Sequence, residues 1–226
     1  MSEPLPLFPL HMVLFPGVVM PLFVFEDRYR ELLRDLIALP ADRDREFGVV
    51  AIKVGYEVGE RGVHTIQRTG CTALVTEVTA NPDGTFELMV VGRRRFHVDR
   101  LDPSRPYLRA DVEWLPHATG NDADAGAALA AQKAHRVFES YRARVAQLRG
   151  DDVLDGETPT DAVDLSYTLA AALVLNLAER QSLLEAPDVV TRLQRETRFM
   201  QDELRAIAAV PSLPATSMAR TAWSPN

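Results

Sequence analysis

From Pro4 to Phe25 the chain carries no formal charge, and prolines at 6, 9, 16 and 21 interrupt the run. No other stretch restricts the fold as much. About 20 apolar residues suffice for a membrane-spanning helix, and this run is long enough. A proline inside a helix costs roughly 3 kcal/mol, because its N–H is missing and its ring clashes with the preceding turn. Four of them oppose a helix here. A secretory signal places positive charge ahead of its apolar core. Here Glu3 precedes the run, His11 is its one histidine, and the first arginine or lysine is Arg28. Neither a membrane span nor a removed signal is therefore expected. The stretch reads as two buried strands, residues 5–10 (LPLFPL) and 18–25 (VVMPLFVF), joined through the turn chemistry of Pro16-Gly17. Each proline then belongs at a strand edge or end, where no ladder N–H is missed.

Bulk properties narrow the function classes. A net charge of −7 argues against a surface wholly devoted to nucleic acid, though not against a local basic patch. A single cysteine, Cys71, excludes an internal disulfide and any cysteine-based zinc cluster. With no signal expected, this composition fits a reducing cytoplasm.

The hydrophobic period changes along the chain. After the opening strands, Tyr29, Leu32, Leu33, Leu36 and Ile37 have helical spacing, and Pro40 stops the helix. Residues 47–54 (FGVVAIKV) read as a buried strand. Residues 72–79 and 85–91 flank Asn81-Pro82-Asp83-Gly84, a hairpin signal in which Asp-Gly supplies the positive φ of a tight turn. Residues 107–115 alternate, with Leu108, Ala110, Val112 and Trp114 on one face.

Residues 117–124 read as a linker, after which the pattern is helical. The stripe over 124–149 runs Leu129, Ala134, Val137, Phe138, Tyr141, Val145 and Leu148. An acidic loop at 150–159 leads to a helix from Asp161 to Leu177, then a short helical turn to Pro187. A last helix spans 187–210, with a seam of Leu193, Thr197, Met200, Leu204 and Ile207. The expected organisation is a β-rich domain at 1–117, an α-helical bundle at 118–210 and a flexible tail at 211–226.

No motif for catalysis or cofactor binding is present. Walker-type phosphate loops, G-x-G-x-x-G, G-x-S-x-G and H-E-x-x-H are all absent. Residues 151–162 lack calcium ligands at the third and twelfth positions, Val153 and Ala162. Cys71 reads as a small buried residue. No catalytic residue, metal or cofactor is expected. Arg93-Arg94-Arg95 is the densest charge cluster. It reads as a strand end whose guanidiniums pair with carboxylates such as Asp99 or Glu77. Its alternative role is a phosphate or RNA contact, weakened because no aromatic platform is evident beside it.

Several segments together resemble the N-terminal substrate-binding domain of the Lon protease family. These are L-P-L-F-P-L, then V-L-F-P-G and P-L-F-V-F-E-D-R-Y; Gly70 to Ala73; Gly92 to Val98 (GRRRFHV); and L-A-E-R-Q-S-L-L-E-A-P-D-V from Leu177, closing with Arg192 and Leu193. The resemblance covers roughly residues 5–210. It implies an α+β fold, a PUA-like β pseudobarrel followed by an α-helical bundle. It also implies recognition of polypeptide substrates, without the ATPase and peptidase that follow this domain in the full protease. The expectation is a non-enzymatic, cytoplasmic binding module for unfolded or hydrophobic polypeptide segments, acting as an adaptor to a protease or other protein partner. The alternative is an RNA-binding PUA-like protein. No membrane partner is expected. Candidate binding residues are Phe15 in the Pro16-Gly17 loop, Glu26, Asp27 and Arg28 at the start of the first helix, and Arg94. For Phe15 a core position, and for the charged triplet a solvated helix start, are the competing structural readings.

Overall fold

The computed structural model describes residues 3–55, 63–116, 123–149 and 158–209. In order they form β1 (Leu5–Leu10), β2 (Val19–Val24), α1 (Asp27–Ile37), β3 (Glu46–Gly55), β4 (Val63–Ala80), β5 (Phe86–Asp102), β6 (Arg109–Trp114), α2 (Ala123–Arg149), α3 (Ala162–Ala172), α4 (Leu177–Leu184) and α5 (Val189–Ala209). Most of the expected linker, most of the acidic loop and the whole expected tail lie outside the described residues. The chain divides into two units, Met1–His117 with Val174–Ala186, and Ala118–Leu173 with Pro187–Asn226.

The first unit is built around β5. Its 17 residues pair with β4 on one side. On the other side β2 pairs with Phe86–Val91 and β6 with Phe96–Asp102. The strand order is β2-β5-β4-β3-β1-β6, and the β5–β6 pairing closes five strands on themselves. β1 runs parallel to β3. Its prolines are accommodated because β1 changes neighbours midway: Leu5 and Pro6 pair with β6, and Leu7 to Leu10 with β3. Inside lie Leu7, Val50, Phe96, Val98 and Ala110. The expected hairpin forms, with Gly84 at φ 83° and its N–H donating to Asn81 O at 3.0 Å.

α4 belongs to this unit, although the sequence expectation placed 118–210 together in the bundle. The 169–177 stretch was also expected to be one helix. Instead α3 ends at Ala172, its C-cap Leu173 has an extended ψ of 141°, and α4 restarts behind a capping box formed by Asn176 and Glu179. The uniform apolarity of that run hides the cap. α4 is fixed by buried polar contacts. Gln181 Nε2 donates to Thr69 O at 3.0 Å. Arg95, buried, donates to Leu184 O at 2.8 Å, Ala186 O at 2.7 Å and Pro116 O at 2.7 Å. Carbonyls at a helix C-terminus have no intrahelical donor, and a guanidinium supplies one with favourable charge.

In the second unit α2, α3 and α5 pack on one another. The buried stripe of α2 is Ala127, Ala131, Ala134, Phe138 and Tyr141. Leu129, expected on that stripe, is exposed, because the buried spacing starts from Ala127. α5 buries Leu193, Thr197 and Met200 as its seam requires, and also Arg192 and Glu196. Arg192 Nη1 donates to Ser166 Oγ at 2.9 Å, and the guanidinium lies 4.2 Å from the Tyr167 ring centroid. The Glu196 carboxylate oxygens have no hydrogen-bond partner. Burial holds its pKa well above the usual carboxylate range, with the Arg192 charge opposing.

Candidate functional site

β2 buries one edge of its pleat and displays the other. Met20 and Val24 point into the core, while Val19 is 56% exposed, Phe23 55% and Phe25, just past the strand, 47%. Cross-strand partners share a face of the sheet. Register sets Val19 opposite Val91, Pro21 opposite Met89 and Phe23 opposite Glu87. β4 extends these rungs with Leu74, Glu77 and Thr79. The outward face of β2, β5 and β4 therefore carries three rungs: Val19–Val91–Leu74, Pro21–Met89–Glu77 and Phe23–Glu87–Thr79. The Phe23 and Phe25 rings stack at 6.0 Å and 27°. Beside them is a small cleft of about 60 Å³, lined by Phe8, Leu10, Phe23, Phe25 and Tyr29 among others. Contiguous exposed apolar surface of this kind marks interaction sites in proteins.

The sequence candidates fall in three different settings. Phe15 is 1% exposed, so the binding role considered for it is corrected: the ring is core, as its competing reading held. Glu26, Asp27 and Arg28 stand directly after Phe25, at the start of α1. Glu26 pairs with Arg28 at 3.0 Å, Asp27 pairs with Arg30, and the Arg28 guanidinium lies 4.6 Å from the Tyr29 ring centroid. Asp27 in the first turn favours the helix through its dipole. This triplet borders the exposed aromatic pair.

Arg94 occupies another setting. A bulge in the β4–β5 ladder spans Gly92 to Arg95, leaving Arg93 and Arg94 exposed and Arg95 buried. Arg94 lies 3.6 Å from Glu46, not on Asp99 or Glu77 as expected. It covers the Trp114 ring, 4.0 Å from its centroid. Trp114 supplies the aromatic that the sequence reading did not find beside the cluster, because it comes from β6 by long-range pairing. Cys71 is fully buried, and burial pushes its thiol pKa up to about 12, which removes it as a nucleophile at neutral pH.

The exposed residues of β2 escaped the sequence reading. In VVMPLFVF both faces of the strand are apolar, so alternation carries no signal of which face is wet. Among the described residues, no helix is long and apolar enough to cross a membrane. A groove of about 440 Å³ in the second unit, lined by Ala127, Ala131, His135, Pro159 and Leu165 among others, borders residues outside the described set.

Comparison with known proteins agrees with this architecture. The model of the ATP-dependent protease La (LON) substrate-binding domain matches residues 4–202. Lon protease 2 of Syntrophobacter fumaroxidans is 28% identical over 211 residues, covering 92% of this chain and 25% of that protein. Lon protease of Escherichia coli K12 is 27% identical over 201 residues, with 88% and 25% covered. The chain thus spans about a quarter of the length of the curated relatives it matches. A crystal structure of a Lon N-terminal domain protein from Xanthomonas campestris superposes with a TM-score of 0.60 at 27% identity, covering 86% of this chain and 96% of that one. The N-terminal domain of a Mycobacterium avium complex Lon protease shares the fold, with a TM-score of 0.65 at 19% identity, covering 88% and 99%.

Proposed function

Because the chain belongs to the ATP-dependent protease La (LON) substrate-binding domain family, we propose that it is a non-enzymatic module that holds unfolded or hydrophobic polypeptide segments on the outward face of β2, β5 and β4. The observation that carries this reading is the exposed apolar series Val19, Phe23 and Phe25 on one face of one strand. A phenylalanine buries 150–250 Å² when fully covered. Covering the exposed halves of Phe23 and Phe25 at about 25 cal/mol per Å² yields about 2 kcal/mol for each ring before ordering costs. Among the described residues β2 pairs with β5 alone, so an extended segment can also lie along its other edge. Pro21 removes one N–H from this strand, so side-chain contacts carry more of the affinity than backbone ones. Delivery of the held segment to a protease partner, as an adaptor, is the corresponding cellular role.

The test is a titration of fluorescent unfolded peptides against the wild-type chain and a Phe23→Ser/Phe25→Ser variant. The variant is expected to bind at least tenfold more weakly, with its circular dichroism spectrum still that of the folded chain. Equal binding would remove the surface from consideration. A single-stranded RNA belongs in the same titration. The Arg94–Trp114 stack gives that reading its one favourable feature, yet Arg95 is committed to backbone carbonyls and Arg94 to Glu46. Salt-sensitive RNA binding lost in Arg94→Glu would move the reading to nucleic acid.

A further inference from the structure

The same outward face has a charge pattern. Glu87 stands on the Phe23 rung and Glu77 on the Pro21–Met89 rung. Both are exposed, and neither side chain makes an ion pair or hydrogen bond among the described residues. Their neighbours differ: Glu26 is held by Arg28, Asp27 by Arg30 and Glu46 by Arg94. The exposed cation Arg93 lies two residues beyond Val91 on β5, at the end of the face away from Phe23. At the aromatic end the cations Arg28 and Arg30 are paired with Glu26 and Asp27, whereas the Glu87 side chain, and that of Glu77 one rung further along, have no ion-pair partner among the described residues.

Resting on the polypeptide-binding reading, we infer that this face selects segments in which apolar side chains are interspersed with lysine or arginine, and discriminates against segments bearing aspartate or glutamate at those places. An incoming cation meets Glu77 and Glu87 without displacing an existing partner. Its aliphatic stem lies on the Pro21–Met89 rung, and an arginine can also stack on Phe23. An incoming carboxylate is set against two like charges, which is discrimination by repulsion as well as by attraction. Exposed pairs of this kind change affinity roughly two- to fivefold per carboxylate. The effect is screened over about 10 Å at 0.1 M salt.

The experiment uses the chain and three labelled peptides of equal length and equal apolar content, whose variable positions are all Lys, all Gln or all Glu. Fluorescence anisotropy is read at 50 and 500 mM NaCl. The expected order of affinity at low salt is Lys above Gln above Glu, with the spread collapsing at high salt. In Glu77→Gln/Glu87→Gln the spread between the Lys and Glu peptides is expected to shrink several-fold. Circular dichroism confirms folding of each variant. If the wild type shows no preference, or the double variant retains it, the inference fails. Carboxylates that serve only to keep an exposed apolar face soluble would give that result. The Phe23→Ser/Phe25→Ser variant separates the two levels. If it loses the Gln peptide while the charge preference is absent, the binding surface stands and the selection does not. If it binds the Gln peptide normally, the surface itself is wrong and the inference falls with it.

Discussion

Replacing Arg95 with methionine tests how the 174–186 segment is fastened. The side chain is 2% exposed and donates three hydrogen bonds of 2.7–2.8 Å, two to carbonyls at the end of α4 and one to Pro116. Methionine matches the stem but supplies no donor. Each abandoned buried carbonyl costs about 1–3 kcal/mol. Water can reach some of them after relaxation, and removing the guanidinium also removes its own desolvation cost. The net loss expected is about 3–5 kcal/mol, a range usual for breaking a buried polar network. Urea unfolding followed through the first unit should show the midpoint falling at unchanged slope. Native-state hydrogen exchange should show amides of 177–186 losing protection first, since α4 has few other buried polar anchors. Arg95→Lys, with one compact head for three acceptors, should fall between wild type and methionine. A loss under 1 kcal/mol for Arg95→Met, with 177–186 still protected, would refute the claim that this guanidinium holds α4. The result also bears on the RNA alternative, because loss of RNA binding in an Arg95 variant would report damage to the fold.

Two other perturbations have clear signs. A Cβ at Gly92 would lie 2.0 Å from the Phe15 carbonyl oxygen, a backbone atom that cannot swing aside. Gly92→Ala is therefore expected to cost about 2–4 kcal/mol in denaturant unfolding, and a neutral result would mean that the Phe15 segment between β1 and β2 can shift freely. Glu196 holds its proton in the folded state at pH values where the unfolded chain has released it, since its folded pKa lies well above 4.5. The linkage follows: its contribution is fully present below the unfolded pKa and is lost as pH rises through the folded one. Thermal melts of the second unit should fall in midpoint as pH increases above about 5. Glu196→Gln, which carries no charge at any pH, should flatten that dependence, and an unchanged slope would show that another group titrates.

The elements of this fold were legible where period and punctuation agree. LPLFPL forms β1 over the residues expected, and Asp83-Gly84 closes the β4–β5 hairpin. Leu193, Thr197 and Met200 form the seam of α5. Legibility failed where composition was uniform. The run around Leu173 hid a helix end and the Asn176 cap, and so hid the assignment of α4 to the first unit. The full length of β5 was also hidden, because its bulge at Arg93 and Arg94 looks locally like a strand end.

The site was less legible than the fold for a related reason. A strand with two apolar faces is most simply read as buried on both sides, and β2 has that composition. What leaves Val19, Phe23 and Phe25 half exposed is topology: the far side of β2 has no strand against it among the described residues, and nothing described covers its outward face. Topology is a long-range property, absent from any window of the sequence. The same holds for Glu77 and Glu87. Each is an ordinary polar position in its own strand, and they join Phe23, Pro21 and Met89 only when the β2–β5–β4 register is known. Glu26, Asp27 and Arg28 were identifiable because helix starts have local signatures, and Glu26 lines the cleft beside the aromatic pair. An exposed apolar strand is a hazard unless something covers it part of the time. That hazard favours an intermittent polypeptide occupant over a purely structural account of the surface.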